Sequence, residues 1–211
     1  MKMRLYYLLI AAAGMVSCGP KSAETVELFN GHDFTGWMAV SADTTAVSPF
    51  SVADGCIRVS GSPFGYLRTA EAYGDYRLHV EWRWIGEPSN SGLFQRIQEG
   101  DGIWPTLIEC QLQAGNAGDL LALNGAPLDG AASEGGSVPI LKRRGESSER
   151  PAGEWNEAEI ECRGDRITVR INGVLQNECT GADTRGYLAL QSEGGPLEFR
   201  NIRLMPLENA Q

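Results

Sequence analysis

The sequence predicts an all-β fold of antiparallel strands, and three observations carry that expectation. From residue 25 onward, apolar and polar residues alternate with period two in many short runs, the pattern of strands with one buried and one wet face. Gly, Asn, Asp and Pro punctuate those runs at short intervals, and no stretch shows convincing helical periodicity.

Taken in order, each run supports the reading. Tyr76 to Trp84 places Tyr76, Leu78, Val80, Trp82 and Trp84 on one face and Arg77, His79, Glu81 and Arg83 on the other. "SGLFQRI" and "LIECQLQ" continue the alternation, with Ile108, Cys110 and Leu112 directed to the core. In Glu157 to Arg163 the apolar set is Ala158, Ile160 and Cys162, and Ile167, Val169 and Ile171 repeat it after a Gly164 and Asp165 turn. Asn172-Gly173 then signals a type I′ hairpin, because that turn needs positive φ at both central residues. Val174 to Glu178 returns, and Gly186 to Ser192 and Leu197 to Leu204 close the set across Gly194, Gly195 and Pro196. Leu120 to Gly153, rich in Gly, Ala, Ser and Pro, reads as long loops with only Val138 to Leu141 strand-like. Loops of that length are either binding segments or low-complexity disorder. Trp37, Trp82, Trp84 and Trp155 are expected in the core.

The first residues read as an address. Lys2 and Arg4 precede an apolar run from Leu5 to Val16, and small Ser17 stands before Cys18, the layout of a cleavable secretory signal. The run is shorter than the roughly 20 apolar residues of a membrane span. Cys18 resembles the acylated cysteine of a bacterial lipobox, although Met15 stands where Leu is usual. A signal at 1–17, a lipidated tether at 18–25, one β-sandwich domain over 26–207 and a tail at 208–211 are expected, in the bacterial cell envelope on the periplasmic or outer surface. Loss of Lys2 and Arg4 takes the formal charge from −9 to −11, which disfavours nucleic-acid partners. Cys56, Cys110, Cys162 and Cys179 lie far apart without a CxxC pair, so zinc spacing is absent. One or two disulfides suit an oxidising compartment, while Cys110 and Cys162 sit as buried small hydrophobes.

Chemistry concentrates between Glu87 and Asp119. With Ile108, Cys110 and Leu112 inward, Glu109, Gln111 and Gln113 share the opposite face. A carboxylate flanked by amides matches sugar hydroxyls, which both donate and accept, and Trp104 offers a surface for sugar C–H faces. An ordinary solvated β face fits the same pattern.

Four ordered motifs, "ELFNGHDFTGW", "NSGLFQRI" with "IWPTLIECQLQAGNAGD", "RPAGEWNEAEIECRGDRITVRINGVLQN" and "GYLALQSEGGPLEFRNIRL", resemble those of the 3-keto-disaccharide hydrolase family over nearly all of residues 26 to 207. His32 and Phe34 stand where family members often carry Lys and Leu. The resemblance implies a two-sheet antiparallel jelly-roll sandwich of the concanavalin A-like lectin and glucanase type, acting on glycosides oxidised to a ketone at C3. A C3 ketone acidifies the C2 proton, whose loss permits elimination at C1 and later addition of water. Such a route needs a base, donors for the enolate oxygen and an acid at the leaving group, rather than the carboxylate pair of ordinary glycosidases.

On that basis Glu109 is the first choice for the base, and Glu193 is a second acid or base, or else a solvated turn carboxylate. Arg96, read as sharing a face with Gly92 and Phe94, either stabilises the enolate or pairs with a surface carboxylate. Asn90, Trp104, Gln111, Gln113 and Gln191 are substrate-binding candidates, although turn hydrogen bonds also account for Asn90 and Ser91. Asp119 orients a loop or ligates a cation. His32 and His79, the only histidines, support neither a Ser/His triad nor a histidine-rich metal site. No cofactor is expected; a loop-bound Ca²⁺ stays open, since its ligands leave no compact motif outside an EF-hand. The expected partners are a carbohydrate or 3-keto-sugar, a membrane through the lipid anchor, and a sugar oxidoreductase acting upstream. The rival reading is a noncatalytic carbohydrate-binding lipoprotein on the same scaffold.

Overall fold

The structure, a computed structural model, describes residues 24–207 apart from 101 and 134. The leader, Cys18 and the tail 208–211 lie outside the described residues. The strands are β1 (Val26–Glu27), β2 (Trp37–Ser41), β3 (Phe50–Ala53), β4 (Cys56–Val59), β5 (Gly65–Thr69), β6 (Tyr76–Trp84), β7 (Gly92–Ile97) and β8 (Leu107–Gln111). They continue as β9 (Leu120–Leu123), β10 (Ile140–Leu141), β11 (Asn156–Arg163), β12 (Arg166–Ile171), β13 (Val174–Cys179), β14 (Tyr187–Ser192) and β15 (Leu197–Pro206).

They form two antiparallel sheets. One runs β13-β12-β11-β6-β15-β4-β3 with β1 also on β15, and the other runs β10-β9-β8-β7-β14-β5-β2. The alternation explains why they pack face to face. Tyr76, Leu78, Val80, Trp82 and Trp84 of β6 and Ala158, Ile160 and Cys162 of β11 are all buried, and they meet Leu93, Ile108, Cys110, Leu120 and Leu190 of the other sheet in one core. The Asn172-Gly173 turn has φ of 50° and 79°, the positive pair a type I′ hairpin requires.

Three expectations change. Leu120–Leu123 is a strand, not loop: Leu120 and Ala122 enter the core while Leu121 and Leu123 face outward half-buried. Trp155 is not in the core. It lies half-buried, with the Arg200 guanidinium 3.8 Å and the Arg83 guanidinium 4.5 Å from its ring centroid. Cys56, Cys110, Cys162 and Cys179 are buried as free thiols, the small-hydrophobe role, and no disulfide joins them.

Candidate active site

A second apolar group sits on the outer face of the seven-stranded sheet, where Tyr66, Phe94, Ile97, Leu107 and Ala189 are buried and Trp104 packs against them. Strand register sets what stands beside what. Leu121, Glu109, Phe94 and Ala189 form one row across β9, β8, β7 and β14. Gln111 pairs with Gly92, and Gln191 pairs with Tyr66, giving a neighbouring polar row. Over these rows lies a cavity of about 440 Å³ lined by Asn90, Trp104, Glu109, Gln111, Gln191 and Glu193, with Phe64, Leu121, Leu123, Asn124 and Val138 at its edges.

Glu109 is the focus of this cavity. Its row neighbours are apolar, Trp104 stands 5.9 Å edge-on from Phe94, and only 3% of the residue is exposed. Burial therefore pushes its carboxyl up to about 8, and the nearby Glu193 carboxylate adds to the shift, since desolvation and a like charge both disfavour ionisation. Gly92 makes the site possible: a Cβ there would stand 2.8 Å from Glu109 Cγ and Cδ, closer than carbon atoms pack, so the carboxylate lies across the bare backbone of its neighbour.

The polar neighbours are held in fixed roles. Gln111 Oε1 accepts from the backbone N–H of Leu112 at 3.0 Å and of Gln113 at 2.9 Å, which leaves its amide NH₂ for a ligand. Gln191 Nε2 donates to Glu193 Oε2 at 2.8 Å, orienting that carboxylate, and Ser91 Oγ donates to Gln191 O at 2.9 Å, tying the "NSG" turn to β14. Asn90 Oδ1, Glu109 Oε1 and Gln191 Oε1 are buried without a hydrogen-bond partner. Native interiors leave few polar groups unpaired, so three such oxygens around one cavity mark a place for a ligand with O–H donors.

Two predicted residues are elsewhere. Gln113 lies beyond the end of β8, exposed, and its Oε1 accepts from Asn116 Nδ2 at 2.8 Å; the alternation that placed it beside Gln111 ends when the strand does. Arg96 is fully buried away from the cavity. Its φ of 56° coincides with a register shift between β7 and β14, so Ile97 takes the outward position and Arg96 turns inward. Its guanidinium donates to the carbonyls of Tyr73 (3.1 Å), Gly74 (2.5 Å) and Gly164 (3.1 Å), a structural clamp rather than an enolate partner.

The sequence reading also missed the apolar rim. The signal was available in "LLAL", where both alternating faces are apolar although one faces outward. Asp119 takes the loop-orienting role: its buried carboxylate accepts from Lys142 Nζ at 2.9 Å and from the Arg143 backbone at 2.8 Å, fixing the segment that carries Val138. Among the described residues no three His, Cys, Asp or Glu side chains converge as a metal-ligand set. A cavity of about 460 Å³ on the outer face of the other sheet is lined by Arg77, Glu159, Glu161, Thr168 and Arg170. Its Arg77 and Glu161 are paired at 2.7 Å, and His79 Nδ1 bonds Glu159, so it is a ladder of cross-strand ion pairs.

Residues 24–205 match the model of the 3-keto-alpha-glucoside-1,2-lyase-like domain. The chain belongs to this family. The 3-keto-disaccharide hydrolase of Bacteroides thetaiotaomicron is 24% identical over 233 aligned positions, covering 87% of this chain and 78% of that protein. A crystal structure from Parabacteroides distasonis ATCC 8503, provisionally named a glycosyl hydrolase, superposes with a TM-score of 0.66 at 22% identity, covering 87% of this chain and 94% of that one. The Bacillus licheniformis β-glucanase superposes at 0.58 with 14% identity, over 90% and 100% of the two chains. The fold of this 3-keto-alpha-glucoside-1,2-lyase-like domain is thus the concanavalin A-like jelly roll, and its cavity lies on the outer face of one sheet.

Proposed function

We propose that this cavity cleaves 3-keto-glycosides. The observation that carries the reading is the set of three unpaired buried oxygens, of Asn90, Glu109 and Gln191, around a desolvated carboxyl in a chain of this family. Glu109, once ionised, takes the C2 proton, and the electron pair of the C2–H bond passes into the C3 carbonyl to give an enolate. The amide NH₂ of Gln111 and that of Asn90 are the donors placed to hold that oxygen. Collapse of the enolate breaks the C1–O bond. The departing oxygen leaves with the proton that Glu109 has just taken from C2. Water then adds: the Glu193 carboxylate, oriented by Gln191, accepts the water's proton as its hydroxyl bonds to C1 and passes that proton to C2, which completes a net hydrolysis.

The protein is exported in this proposal, anchored to the cell envelope through acylated Cys18, and a sugar oxidoreductase in the same compartment supplies the ketone. The test uses a 3-keto-glucoside with a chromogenic leaving group. Wild type releases it, and Glu109→Gln lowers kcat by at least about a thousandfold, toward the scale of a lost general base. Sugar binding without release by wild type would instead make this a carbohydrate-binding protein, and release that survives the substitution removes Glu109 as the base.

A further inference from the structure

We infer that the group attached at C1 of the substrate is an apolar aglycone rather than a second sugar, an inference that rests on the proposed cleavage of glycosides at this site. Apart from Asn124, the polar side chains of the cavity occupy its middle. Glu109 and Gln111 come from β8, and Gln191 and Glu193 from β14 and the residue after it. With neighbouring strands about 4.8 Å apart, that stripe spans two gaps, about 10 Å, the breadth of one hexose with its hydroxyls. Beyond it, the lining side chains on both flanks are apolar except for Asn124, just past β9.

On the β9 side, Leu121 stands directly opposite Glu109 and Leu123 opposite Leu107. β9 alternates cleanly between core and outer face, so its outward residues would ordinarily be polar; they are leucines. Val138, 41% exposed, overhangs from the segment pinned by Asp119, and on the β5 side Phe64 is 51% exposed. Large hydrophobic side chains left wet at the mouth of a cavity mark a surface that gains by being covered. A second pyranose would set its hydroxyls against these walls, where Asn124 is the one polar side chain among those lining the flanks, and unpaired hydroxyls on desolvated sugar are costly. An aryl or alkyl group has no such requirement. It is therefore accommodated whichever flank the C1 oxygen faces.

Equilibrium binding separates this inference from the cleavage it rests on. Methyl glucoside, phenyl glucoside and a glucose disaccharide of the same anomer, each also as its 3-keto form on Glu109→Gln, are titrated against the full chain by calorimetry. Phenyl glucoside is expected to bind at least about tenfold tighter than methyl glucoside, and tighter than the disaccharide. Val138→Ser, or Phe64→Ser, should erase that preference while methyl glucoside affinity stays within about twofold; both side chains are exposed, so the fold tolerates them. A disaccharide that binds tightest, a preference that survives both variants, or failure of every ligand to bind overturns the inference. Turnover of 3-keto methyl glucoside is measured alongside: turnover without aryl preference sinks this inference alone, and aryl preference without turnover sinks the cleavage reading alone.

Discussion

Glu109 makes three measurable statements. Because burial and the Glu193 charge raise its carboxyl to about 8, about one-tenth of the enzyme carries the ionised base at pH 7. The kcat/KM for a 3-keto-glucoside should therefore rise about tenfold per pH unit below 8 and level off above it; a limb falling through pH 8 would make Glu109 the acid instead. The same shift acts on stability. Between the unfolded value near 4.5 and the folded value near 8, the folded chain holds a proton that the unfolded chain has released, so stability falls as pH rises through that window. Glu109→Gln removes the penalty, and its gain over wild type in denaturant melts should grow by about 1.4 kcal/mol per pH unit from pH 5 to 8 and then stop growing. Gly92→Ala tests the space the carboxylate occupies. Its Cβ displaces the Glu109 side chain, so kcat should drop by at least about tenfold. A Gly92→Ala enzyme of full activity would show that the carboxylate does not need that position. Arg96→Lys, by contrast, loses carbonyl contacts far from the cavity, so it should cost about 2–4 kcal/mol of stability while the folded fraction keeps its kcat.

At the scale of elements, one wall of the site is the segment from β9 through β10. Asp119 closes it from beneath, with Lys142 and the Arg143 backbone on its carboxylate. Asp119→Asn keeps the volume and weakens both charge-assisted bonds, so the Val138 overhang should loosen: KM rises several-fold with kcat within about twofold, in steady-state kinetics on the 3-keto-glucoside. An equal fall in kcat would place Asp119 in the chemistry. These strands also show where sequence was legible and where it was not. β6, β11 and β12 could be read almost to the residue because one face is core and the other solvent, so alternation is strict. β9 was hidden because both its faces are apolar, and a four-residue apolar run carries no period. Glu109 and Gln111 could be placed on one face by counting, since β8 is regular to its end at Gln111. Counting failed for Gln113, past that end, and for Arg96, where one residue with φ of 56° reverses the alternation. Bulges and strand ends are tertiary features, and periodicity assumes their absence. Trp155 was misplaced for a related reason: its composition says core, whereas Arg83 and Arg200 cover its ring at the surface.

For the whole molecule, the four free thiols report whether the two sheets open together. Cys110 on β8 and Cys162 on β11 are fully buried and face the shared core from opposite sheets, whereas Cys56 on β4 and Cys179 on β13 keep 6% and 7% exposure near sheet edges. A sandwich with one core cannot expose the first two without separating its layers, so their modification requires global unfolding, while edge strands open at lower free energy. On the Cys18→Ser chain, which carries neither the acyl group nor a fifth cysteine, labelling followed by peptide mass spectrometry should modify Cys56 and Cys179 first. Cys110 and Cys162 should follow together, with one rate and one denaturant dependence equal to that of global unfolding. Reductant should leave the Tm unchanged, since no bridge exists to break. If Cys110 reacts well before Cys162, the seven-stranded sheet opens on its own. The cavity would then lie on a separately mobile layer, and the pH-dependent stability assigned to Glu109 would belong to that layer rather than to the whole fold.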